Sequence, residues 1–383
     1  MQQTSAQSSP ARGALKSTRL PQIDYWRGLC LLIIYIHHLP LSFGANFSLS
    51  KIGFCDAVIV FVFLSGFVCR LAFGSALEKQ GWGAMTAKVL KRAGTLMIAH
   101  IAMVAFAVAA IVLYHKIWPG EWMLTDIDDG SEAAILAAPF REIGLAMIFK
   151  QHAWLCHVLP LYTIFIVLIP LYFALNRISS WLLLIVSGAL WAAVRLTVTL
   201  SIGGFLHKTG FWLNPYAWQF VFVGGFVLSG WVKEGKLGRM RPAFYYAGVG
   251  LLLFIAATKL QLYPRANWFF PILSTKPMCD VSYVAYFALL AMVLSPLVSD
   301  ATKLARWPAV AFISVVGQKS LTIWVGTAFL VYTVFFLRRA IIADLWIEDA
   351  IITVAAAIPL GWLIRHELRQ RKKKLELRAA TAT

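Results

Sequence analysis

Arg27 and His38 are the two residues whose types and spacing most directly suggest chemistry. They lie eleven positions apart in the apolar run Ile23-Asp-Tyr-Trp-Arg-Gly-Leu-Cys-Leu-Leu-Ile-Ile-Tyr-Ile-His-His-Leu39. At about 100° per residue they fall within ~20° of one another, ~16 Å apart along a helix axis. An arginine serves as a fork for phosphate or carboxylate, and a histidine as a base near neutral pH. Inside hydrocarbon each is costly unless it is paired or faces a cavity, so two on one face mark a candidate site. A plainer account makes Arg27 an interfacial anchor and His38 a satisfied packing residue. His37 is rotated ~100° away and belongs to another face.

The elements that must position this pair are membrane helices. The chain has 383 residues, 60% hydrophobic and 14% charged, with a mean hydropathy of +0.73, which indicates a polytopic membrane protein. Its 35 basic residues against 17 acidic ones give a formal charge of +18. In a membrane protein such an excess marks cytoplasmic loops, and without an interleaved basic and aromatic pattern outside the apolar runs no nucleic-acid partner is expected. The five cysteines have no metal-ligand or CxxC spacing, and no bound metal or permanent cofactor is expected.

Apolar runs near 25–43, 54–74, 93–114, 153–175, 181–203, 212–232, 243–260, 279–298, 308–337 and 345–364 predict an all-α bundle of about ten transmembrane helices. A break is expected in the ninth at Gly317-Gln-Lys-Ser320. Residues 1–22 read as a disordered tail without the apolar core of a signal peptide, 23–364 as the membrane domain, and 365–383 as a basic tail. The basic residues place both termini on the cytoplasmic side and the acidic loop around Asp126 to Glu132 outside. In that topology His38, Asp56, His157, Asn214, Gln219 and Asp280 lie toward the outer side, and Arg27 and Arg70 toward the inner.

Two segments, Ile23-Asp24-Tyr25-Trp26-Arg27-Gly28 with His38, and Phe61-Val62-Phe63-Leu64-Ser65-Gly66-Phe67, resemble the acyltransferase-3 superfamily. Gly53-Phe54-Cys55-Asp56-Ala57, Leu159-Pro160-Leu161-Tyr162, Asn214-Pro215-Tyr216-Ala217-Trp218-Gln219 and Gly317-Gln318-Lys319-Ser320-Leu321 narrow the likeness to the OpgC family, the succinyltransferases of osmoregulated periplasmic glucans. The likeness covers residues 19 to 325. It departs where His37 and Cys156-His157 stand in place of the usual Asp and Leu-Asp.

The resemblance implies transfer of an acyl group, succinyl above all, from an acyl-coenzyme A co-substrate to a hydroxyl of a glycan acceptor. On that view His38 is the base and Asp56 orients it as a triad carboxylate would. Arg27 and Arg70 receive coenzyme A phosphates. Asn214, Trp218, Gln219 and Lys276 contact the substrate, and Trp122, Trp154, Trp212 and Trp268 add an outer-side aromatic group that an interfacial belt explains equally well. Ser65 is expected to pack rather than to attack, its Ser-Gly pair letting two helices approach. The competing class is a transporter or flippase using His38, Asp56 and Arg27 as a polar relay. A structural partner of a glucan synthase is the third.

Overall fold

The computed structural model describes residues 20–39, 52–124, 130–150, 153–200, 211–236, 241–259, 276–294 and 307–341, with a few isolated positions beyond. These form twelve helices and no strand: α1 (Pro21–His37), α2 (Ala57–Ile117), α3 (Ser131–Ala137), α4 (Pro139–Ala146), α5 (Val158–Val167), α6 (Ile169–Ile178), α7 (Ser180–Thr199), α8 (Pro215–Lys233), α9 (Pro242–Lys259), α10 (Val281–Leu294), α11 (Pro308–Gln318) and α12 (Ser320–Ile341). Most of the two expected tails, and the acidic stretch Asp126 to Asp129, lie outside the described residues.

The 61-residue α2 joins the second and third apolar runs and is not straight. Gly81 has φ 81° and ψ −176°, a conformation open in practice to glycine alone. Sixteen residues of straight helix would separate Ala72 from Lys88 by ~24 Å, yet Lys88 Nζ donates to the Ala72 carbonyl at 2.9 Å. The helix therefore doubles back at Gly81. Its first arm runs alongside α8 in the same sense. Asp56 and Asn214 cap the two helices at one end, and Lys233 meets Glu78 at 2.5 Å near the other.

Close backbone approaches lock the bundle. A Cβ at Gly66 would run into the Phe222 carbonyl, and one at Gly225 into the Phe63 carbonyl. The Ser65-Gly66 step thus packs on α8, as expected of small residues between membrane helices. The same holds between α1 and α11, where Gly28 faces the Ile313 carbonyl and Gly317 the Asp24 carbonyl. The expected break of the ninth run falls at Lys319, between α11 and α12.

Among the described residues, four helices are long and apolar enough to cross a membrane: α2, α7, α9 and α12. The pair α5 and α6, bent by 47° at a break before Pro170, makes a fifth if taken as one span. This is fewer than the ten expected runs, for identifiable reasons. The first run gives only 17 helical residues, two runs are merged in α2, and Gln219 with several glycines and tryptophans lowers the hydropathy of α8. The 345–364 run falls outside the described residues apart from Gly361.

Candidate active site

α1 presents Arg27 and His38 to two adjoining cavities. Pro21 starts the helix, where a fixed φ and a missing N–H cost nothing. Its close contact with α11 brings Arg27 next to the α11–α12 break. There Arg27 Nη2 donates to Ser320 Oγ at 2.7 Å, and the guanidinium lies over the Phe61 ring at 5.5 Å. Arg27 is only 8% exposed, so its guanidinium is turned into the protein rather than toward headgroups. It lines a cavity of about 320 Å³, mouth included, together with Arg92, Phe61, Tyr162 and Trp324.

His38 ends α1. Its Nδ1 lies 2.6 Å from the Ile34 carbonyl oxygen. A carbonyl only accepts, so Nδ1 carries the proton and Nε2 of the neutral ring holds the lone pair. The ring packs on Trp154, with centroids 5.4 Å apart, and Trp154 is itself held by Tyr332 Oη donating to its carbonyl at 2.6 Å. His38, Leu155, Trp324, Thr327 and Val331 line a second cavity of about 230 Å³, mouth included. His37 is exposed while His38 is half-buried, in keeping with their different helix faces.

Asp56 does not orient His38 as expected. It caps α2, its Oδ1 accepting from Val58 N at 3.0 Å, and it also takes the Tyr283 hydroxyl and the Lys276 ammonium. The backbone carbonyl of Ile34 performs the orienting role. The charges of Asp56 and Lys276 are nonetheless close enough to act on the His38 ring.

The remaining expected contacts are occupied within the protein. Asn214 caps α8 through Tyr216 N (3.0 Å) and Ala217 N (3.2 Å). Gln219 Nε2 donates to the Ser187 carbonyl at 2.8 Å, while its Oε1 accepts from Ser187 Oγ at 2.6 Å. Trp218 is fully buried, its indole N–H donating to the Lys276 and Pro277 carbonyls, both at 3.2 Å, so no sugar can stack on it. Lys276, paired with Asp56, lies over Trp212 at 5.1 Å. Trp122 is exposed, and Trp268 lies outside the described residues.

Arg70 is likewise engaged. Its guanidinium stacks on Phe173 (5.2 Å) and Phe226 (5.0 Å) and lies 4.0 Å from Glu234. With the Asn176 amide turned so that its oxygen faces Arg70, that oxygen accepts from Nη1 at 2.8 Å and Nη2 at 3.1 Å. A guanidinium so enclosed is a clamp between α2, α6 and α8 rather than an open phosphate site. Glu234, exposed past the end of α8, is held below the usual carboxylate range by the hydrogen bond from Lys236.

Arg92, half-buried, lines the Arg27 cavity from the second arm of α2. In the sequence it is one more basic residue of an inside loop, and only the reversal at Gly81 reveals its place. Ser320 sits in the expected break, but nothing local says that it receives Arg27. Trp324, one tryptophan among 15, carries no signal of its own.

Fold and site together define a membrane protein, helical throughout its described residues, that brings a buried arginine and a histidine held through Nδ1 to neighbouring cavities. The chain belongs to the OpgC protein family, whose model matches residues 19–368 and so includes Arg27, His38, Arg92 and Trp324. No curated protein and no solved structure matches it.

Proposed function

We propose that this chain is a membrane O-acyltransferase. It moves an acyl group, succinyl by analogy with its family, from acyl-coenzyme A to a hydroxyl of an extracytoplasmic glycan such as a periplasmic glucan. The observation that carries the reading is the Ile34 hydrogen bond to His38 Nδ1. It leaves Nε2 able to take a proton, on the helix whose other end holds Arg27 at a cavity.

The acceptor hydroxyl oxygen attacks the thioester carbonyl while His38 Nε2 takes its proton. The carbon–oxygen bond forms, the carbon–sulfur bond breaks, and the proton passes from His38 to the departing thiolate. Arg92, half-buried, suits the phosphates of the donor, whereas the buried Arg27 suits carbonyl groups of its arm. Lys79, Lys88, Lys91, Arg92, Lys233 and Lys236 gather toward the Gly81 end, which supports placing that end in the cytoplasm of the bacterial inner membrane. His38 then lies on the glycan side.

Mass spectrometry of periplasmic glycans from cells with and without this protein tests the reading. The expected result is a set of glycans heavier by one or more acyl groups only when the protein is present. Identical glycans in both would sink it and favour transport along the same polar groups.

A further inference from the structure

The Arg27 and His38 cavities meet at Trp324, which lines both. Its indole is 7% exposed and stacks on Phe61, with centroids 6.5 Å apart and planes at 21°. Each cavity leaves room for little more than a water-sized group. A chain that reached His38 from the Arg27 side would therefore have to move this side chain.

The donors around the inner cavity say what kind of chain fits. Among the described residues, Arg27 Nε and Trp324 Nε1 are buried N–H groups with no acceptor. An unmade hydrogen bond of this sort is costly in a buried, low-dielectric place, so two at one cavity suit a ligand that supplies acceptors there. The walls between them, Phe61, Leu96, Val158 and Leu159, are apolar. A slim, mostly apolar chain bearing amide or thioester carbonyls has this pattern, and the pantetheine arm of an acyl-coenzyme A is such a chain. The ~16 Å of helix between Arg27 and His38 is a distance that an extended arm can bridge.

On the acyltransferase reading above, we infer that Trp324 is the positioning residue between donor and base. Its N–H holds a carbonyl of the donor arm in the inner cavity, and the thioester reaches His38 by passing its indole. The acyl group then crosses within the protein on the donor itself, without a second carrier.

Purified protein in nanodiscs, given succinyl-coenzyme A and unsubstituted periplasmic glucan, separates the alternatives. Trp324→Phe keeps a ring and loses the N–H, so the Kd for coenzyme A should rise about tenfold and kcat should fall, while the thermal stability stays unchanged. Trp324→Ala joins the cavities and should raise thioester hydrolysis in the absence of glucan. If the wild type is active and Trp324→Phe keeps its kcat, or if kcat and stability fall together, the indole merely packs and the inference is overturned. If the wild type transfers no acyl group, the acyltransferase reading fails first and Trp324 loses its role with it.

Discussion

At the Asp56 end of the bundle the polar side chains are one another's partners, whereas along α1 they keep a ring nitrogen and N–H donors open. Asp56, Tyr283, Lys276, Asn214, Trp218 and Gln219 are engaged with caps, carbonyls and each other. Arg27 and Trp324 are buried too, but among the described residues Arg27 Nε and Trp324 Nε1 have no acceptor. A satisfied buried network fixes a structure, while an open donor in low dielectric is costly unless a ligand completes it. The difference suits the first group to a structural part and the second to the proposed chemistry.

The comparison would break most visibly at the two histidines. His38→Ala should lose about two to four orders of magnitude in acylation rate at unchanged thermal stability, and His37→Ala should change little. Equal loss in both would mean that the helix end, not Nε2, matters.

Asp56→Ala removes a cap and strands Lys276 and Tyr283, which should destabilise the fold by about 3 kcal/mol, read from denaturation in detergent. A variant as stable as the wild type would remove the distinction between the regions.

Much of this was legible in the sequence. The pairing of Arg27 with His38 follows from an eleven-residue spacing, the Ser65-Gly66 contact from residue size, and the α11–α12 break from Gly317-Gln-Lys-Ser320. What failed was the assignment of partners. Asn214 caps its own helix, whereas Asp56 and Gln219 have the residue types of a binding site but partners at Lys276, Tyr283 and Ser187 that lie far away in sequence. Arg92 was hidden for the same reason, since its cavity exists only because α2 folds back at Gly81. Arg70 and Arg27 look alike as membrane arginines, and only their neighbours separate a clamp from a site.

Smaller effects sharpen the contrast. Arg27→Lys keeps a charge but loses the planar fork and Nε, and should raise the KM for the donor about tenfold or more. Full recovery of KM by lysine would leave only a need for positive charge. Asn214→Ala should cost about 1 kcal/mol in stability through its lost cap and leave the rate per folded molecule as it was. A specific loss of glucan affinity there would return Asn214 to the substrate site.

The most direct test measures acyl transfer from succinyl-coenzyme A to glucan for His38→Ala and Asp56→Asn side by side, each rate divided by the amount of folded protein. Asparagine keeps the cap of α2 and removes the charge. The expected result is a folded, inactive His38→Ala and an Asp56→Asn that is less stable but active per folded molecule. A folded Asp56→Asn without activity, beside an active His38→Ala, would contradict it.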